Sequence, residues 1–71
     1  MKTYITNDMS IAAFLLMRGK QILRAEKGQP YIFEFNDQDD DCEKIALSFL
    51  VSDYAKYDNC LRMLRSMLRQ K

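Results

Sequence analysis

The sequence predicts a small α+β domain in the order β-α-β-β-α-α, with a small antiparallel sheet (a β-hairpin plus an N-terminal strand) packed against three helices. Three observations carry this. Apolar residues fill 48% of the 71 positions while Gly numbers 2 and Pro 1, the composition of a packed core rather than a disordered chain. Apolar residues recur at helical spacing in three segments and alternate with period two in the stretch between the first and second of them. No linker, internal repeat or low-complexity run divides the chain, so residues 1–71 read as a single compact domain. At this length one core is only just sufficient, and it must be dense or shared with another subunit.

Lys2 to Thr6 reads as a short strand, because Tyr4, Ile5 and the threonines suit a half-buried pleated surface. Asn7 and Asp8 are both suited to cap a helix whose apolar stripe is Met9, Ala12, Ala13, Leu16 and Met17. Phe14 and Leu15 extend that stripe around most of the circumference, as in a central helix packed on several sides. Arg18 complements the helix dipole, and Gly19 is placed to end the helix with a positive φ; in that case Gly19→Val destabilises the domain.

Residues 20–36 read as a hairpin turning around Lys27, Gly28, Gln29 and Pro30. A two-residue loop would set Arg24 opposite Phe33 and mix charge into the aromatic face. An odd loop, of three residues or five, pairs Ala25 with Tyr31 and Leu23 with Phe33 and leaves Arg24 and Glu34 on the other face. The odd loop is therefore expected, with Tyr31, Phe33 and Phe35 in the core. Asp40 followed by Glu43 resembles a capping box opening a second, short and largely buried helix with Ile45, Ala46 and Phe49, and with Leu47, Leu50 and Val51 beside them. Ser52 and Asp53 end it and cap the third. In the third helix Tyr54, Tyr57, Leu61, Leu64 and Leu68 fall on one face, flanked by Cys60, Met63 and Met67.

Lys+Arg number 11 against 10 Asp+Glu, so any electrostatic function must be local. Two features stand out. Asp37, Asp39 and Asp41 match the first three ligand positions of an EF-hand loop, but Cys42 stands where that loop needs Gly and Ser48 where it needs the bidentate Glu. These carboxylates are expected to cap a helix, and no metal or other cofactor is expected. From Lys56 to Lys71 five basic residues face Asp58 alone, a local net of +4. Within it Arg62, Arg65 and Arg69 form a stripe opposite the leucines, the candidate contact for a protein partner or for nucleic-acid phosphates.

Catalysis is not expected. The chain has no His, P-loop, Rossmann fingerprint or nucleophile elbow, and its carboxylates cluster in one loop. Cys42 and Cys60, eighteen positions apart, offer neither a CxxC nor a zinc pattern and read as free thiols. The longest apolar run, Ile11 to Met17, is too short to cross a bilayer, and the N-terminus lacks a signal-peptide core, so a cytoplasmic protein is expected. Apolar surface left uncovered by so small a sheet points to a homo-oligomer formed through the last helix.

The motif order is also familiar. The segment Thr6-Asn7-Asp8-Met9-Ser10-Ile11-Ala12-Ala13-Phe14-Leu15-Leu16-Met17-Arg18-Gly19 resembles the opening T-x-D-x-x-x-A-A-x-L-x-x-x-G pattern of a family of small bacterial and phage proteins known only as a domain of unknown function. Phe33-Glu34-Phe35 is similar to that family's F-x-F strand, and Tyr57 through Leu68 to its closing Y-x-x-x-L-R-x-L helix. The resemblance implies a phage or mobile-element setting, with the host cytoplasm as its location and a host or viral macromolecule as its target. It carries over no catalytic residue, ligand or cofactor.

Overall fold

The computed structural model describes residues 2–69. It contains β1 (Thr3–Thr6), α1 (Met9–Met17), β2 (Ile22–Glu26), β3 (Ile32–Asn36), α2 (Cys42–Phe49) and α3 (Asp53–Arg69). The order and the α+β class are those expected from the sequence.

Local chemistry bounds the first helix. Asp8 is the N-cap, its Oδ1 accepting from the amides of Ser10 at 2.8 Å and Ile11 at 3.1 Å, donors that the helix itself leaves unpaired. At the other end Gly19 takes φ +89°. The Lys20 amide donates to the Leu15 carbonyl and the Gly19 amide to that of Leu16, both at 3.0 Å, the paired bonds of a Schellman motif.

β3 is the centre of the sheet, in the order β1-β3-β2, and both pairings are antiparallel. Tyr4 lies opposite Phe35 and Thr6 opposite Phe33, which places these four residues on one face. Ile5, Glu34 and Arg24 occupy the other, where Arg24 Nε donates to Glu34 Oε1 at 3.0 Å.

The hairpin keeps the expected odd loop and the expected faces, but its pairs are displaced by two residues. Ala25, not Leu23, lies opposite Phe33, and a bulge between Ile22 and Arg24 leaves Leu23 without a partner and sets Ile22 opposite Phe35. Between Arg24 and Glu26 a two-residue shift leaves each side chain on the same face, so alternation cannot distinguish the two registers there. Tyr31 consequently falls in the connection and is exposed rather than in the core.

Leu15, Phe35 and Cys42 are completely buried, and Ala12, Phe14, Ile45, Phe49 and Ala55 close around them. The Phe14 and Phe49 rings meet at 5.3 Å in a tilted arrangement. The helices thus cover β1 and β3, whereas every residue of β2 is exposed. In α1 the inward residues are Ala12, Phe14 and Leu15, while Met9, Leu16 and Met17 of the expected stripe face outward. A nine-residue helix apolar on nearly all sides has no strong directional preference, so its orientation follows from where Phe35 and Phe49 offer a surface. In α2 Ile45, Ala46 and Phe49 point inward as expected, but Leu47 is exposed, as are Leu50 and Val51 just beyond the helix.

The capping box expected at Asp40 and Glu43 does not form. Asp40 has φ +57°, and Asp41 is the N-cap but makes no side-chain cap bond. The orphan amides are instead met by Asp37, whose Oδ1 accepts from Asp41 N at 3.1 Å and Cys42 N at 3.0 Å.

Candidate functional site

Asp37 is only 5% exposed, so the acidic segment is not one uniform exposed loop. The Cys42 amide is the main cause that holds the Asp37 carboxyl below its ordinary value. The Asp37 carbonyl accepts from Asp40 N, and its amide donates to Lys2 O, both at 2.9 Å, which ties the loop to β1. The remaining carboxylates are matched by lysines. Lys2 pairs with Asp40, and Lys20 pairs with Asp41 and, at 3.7 Å, with Asp39. Asp41 Oδ1 is shut off from water, and the Lys20 ammonium in contact with it compensates its charge.

Asp37, Asp41 and Cys42 bring three potential ligand atoms within 4.8 Å of one another. Their chemistry is already committed. Burial pushes the Cys42 thiol up to about 11, so it keeps its proton and points it at the Asn36 carbonyl, 3.7 Å away. With Asp37 bound to two amides and Asp41 to a lysine, the cluster works as a helix cap and loop clamp.

The outer surface of α3 is a different environment. Ser52 starts the helix: its Oγ accepts from Ala55 N at 3.3 Å while its hydroxyl donates to Phe49 O at 2.6 Å. Asp53 in the first turn and Arg69 in the last both favour the dipole. Only Ala55 of this 17-residue helix is buried. Tyr54 lies against Phe14 with ring centroids 5.8 Å apart, and beyond that first turn the apolar face stands open: Tyr57 is 67%, Leu64 56% and Leu68 81% exposed.

Between α1 and α3 runs an apolar groove of about 210 Å³, with Ala13, Phe14 and Met17 on one wall and Tyr57, Asp58 and Leu61 on the other. Among the described residues Asp58 is its one charged lining residue. Sequence reasoning missed the α1 wall because it assigned Ala13 and Met17 to the core.

Arg62, Arg65 and Arg69 are all exposed on α3, but they run along the flank of the apolar face on the side of Asp58 rather than opposite the leucines. The structure does not bring them together as equals. Arg62 Nε pairs with Asp58 Oδ2 at 3.1 Å, while Arg65 and Arg69 make no ion pair among the described residues. Lys71, counted in the local net of +4, lies outside the described residues.

Among the described residues no helix is long and apolar enough to cross a membrane. A protein-family model described as a domain of unknown function, DUF5659, matches residues 1–70. No curated protein and no solved structure matches the chain.

Proposed function

We propose that this chain, which belongs to the DUF5659 family, is a noncatalytic binding or regulatory protein that acts through a protein partner, as a phage or mobile-element accessory factor in the host cytoplasm. The observation that carries this reading is the open apolar face of α3 with its groove against α1. Contiguous exposed apolar surface flanked by charge is the usual form of a protein-docking site. The acidic segment supports the same reading, because its carboxylates are engaged in capping and lysine pairing rather than set against each other as acid and base. The test is affinity capture of the tagged protein from its native cells after nuclease treatment. A reproducible partner should be recovered, and Leu64→Glu should abolish its recovery; recovery of no reproducible partner would defeat the proposal.

A second reading is favoured by the exposure of Arg65 and Arg69 without ion pairs: a nucleic-acid binder using Arg62, Arg65 and Arg69. Its affinity for DNA should fall steeply with salt, and replacing the three arginines with Ala should flatten that slope. Absence of DNA binding at low salt removes it.

A further inference from the structure

We infer that the occupant of the groove is the α3 helix of a second copy of this chain, laid antiparallel so that two copies form a symmetric dimer. This rests on the protein-partner reading above and names the partner.

Exposed area points to a second copy. The chain exposes 5645 Å². A compact monomer of 8.4 kDa would expose about 4,600 Å². The excess, on the order of 1,000 Å², matches the ~800 Å² that each partner commits to a standard interface. The radius of gyration agrees: it is 13.8 Å, whereas a compact chain of this length would have about 11 Å. The molecule measures 49 × 27 × 14 Å.

The spacing along α3 points the same way. Tyr54, Tyr57, Leu61, Leu64 and Leu68 are separated by alternating steps of three and four residues, which is the seam of a left-handed coiled coil. The seam is too short to hold two isolated helices together, so a stable pair needs further apolar surface. The groove supplies it: Leu64 and Leu68 of one copy enter between α1 and α3 of the other, and the symmetry repeats the contact.

Charge fixes the direction. Asp58 and Arg65 lie on one flank of the seam and Asp53 on the other. In an antiparallel pair each flank meets the same flank of its neighbour, so Asp58 of each copy, which already holds Arg62 of its own chain, faces Arg65 of the other as a second cation. In a parallel pair opposite flanks meet, and Asp53 would face Asp58 with like charge. Among the described residues Asp58 is also the groove's only charged lining residue, at the place where an arginine beside Leu64 would arrive.

The experiment is sedimentation of the full chain, with circular dichroism to confirm folding. Wild type should reach dimer mass at high micromolar concentration. Leu64→Glu, at an exposed position, should keep its helix content and weaken the dimer at least tenfold. Asp58→Lys and Arg65→Glu should each be monomeric alone, because each homodimer sets like charges together, yet their equimolar mixture should dimerise because both contacts are then complementary. A wild-type chain that stays monomeric overturns the inference, and in that case capture of a different protein that depends on Leu64 would leave the partner reading standing. A dimer in which the mixture shows no recovery overturns the antiparallel pairing.

Discussion

Replacing Gly19 isolates the cost of one backbone conformation. Its φ of +89° lies in the region that L side chains rarely adopt, and a Cβ built there meets no heavy atom within 4 Å. Alanine therefore introduces no clash with the surrounding fold, and its effect comes from the left-handed backbone alone. That penalty is roughly 1–2 kcal/mol per residue. For a domain of this size it corresponds to a melting temperature lower by roughly 4–16 °C. The fold cannot escape by relaxing φ, because the Lys20-to-Leu15 and Gly19-to-Leu16 hydrogen bonds depend on the reversal. Asparagine, which tolerates this region, should cost less than alanine, and β-branched valine should cost more. Thermal and urea unfolding followed by circular dichroism give the ranking, with an unchanged urea slope showing that the unfolded state is unaffected. If Gly19→Ala melts at the wild-type temperature, or valine is tolerated as well as asparagine, the assignment of this cap is wrong.

Two further predictions concern the α2 entrance. Because the folded Asp37 carboxyl titrates below its ordinary value of 3.8, the stability it confers is complete above that pH and disappears as pH falls through the folded value. Asp37→Asn should therefore be less stable than wild type at pH 7, with the difference shrinking in acid; equal melting temperatures at pH 7 would refute the capping role. Cys42 is buried with its thiol pushed up to about 11, whereas Cys60 is exposed. At pH 8 a thiol reagent should modify one cysteine rapidly and leave Cys42 protected until the protein unfolds, and two equally fast reactions would contradict the burial.

The features legible in the sequence were those set by neighbouring residues. Asp8 and Gly19 bound α1 through hydrogen bonds within a few positions, and Ser52 starts α3 in the same way. The faces of the hairpin were legible because alternation has period two, but the pairing of Ala25 with Phe33 was not, since a shift of two preserves the faces. That the acidic run caps a helix was legible, but not that Asp37 is the residue that does so, because its role depends on the chain turning at Asp40, which brings the amides of Asp41 and Cys42 back onto its carboxylate. The three arginines are exposed, but they flank the apolar face instead of opposing it, and the pairing of Arg62 with Asp58 makes them unequal.

The amphipathic pattern of α3 shows the limit most clearly. Sequence alone determined that Tyr54, Tyr57, Leu61, Leu64 and Leu68 share one side of a helix, because 3.6 residues per turn follows from backbone geometry. The same spacing arises whether that side is covered by the chain's own sheet or by another molecule. Tertiary structure decided between them: α1 and α2 already cover β1 and β3 around Phe35, and among the described residues α3 beyond its first turn meets the rest of the chain only at the groove against α1, leaving Tyr57, Leu64 and Leu68 exposed.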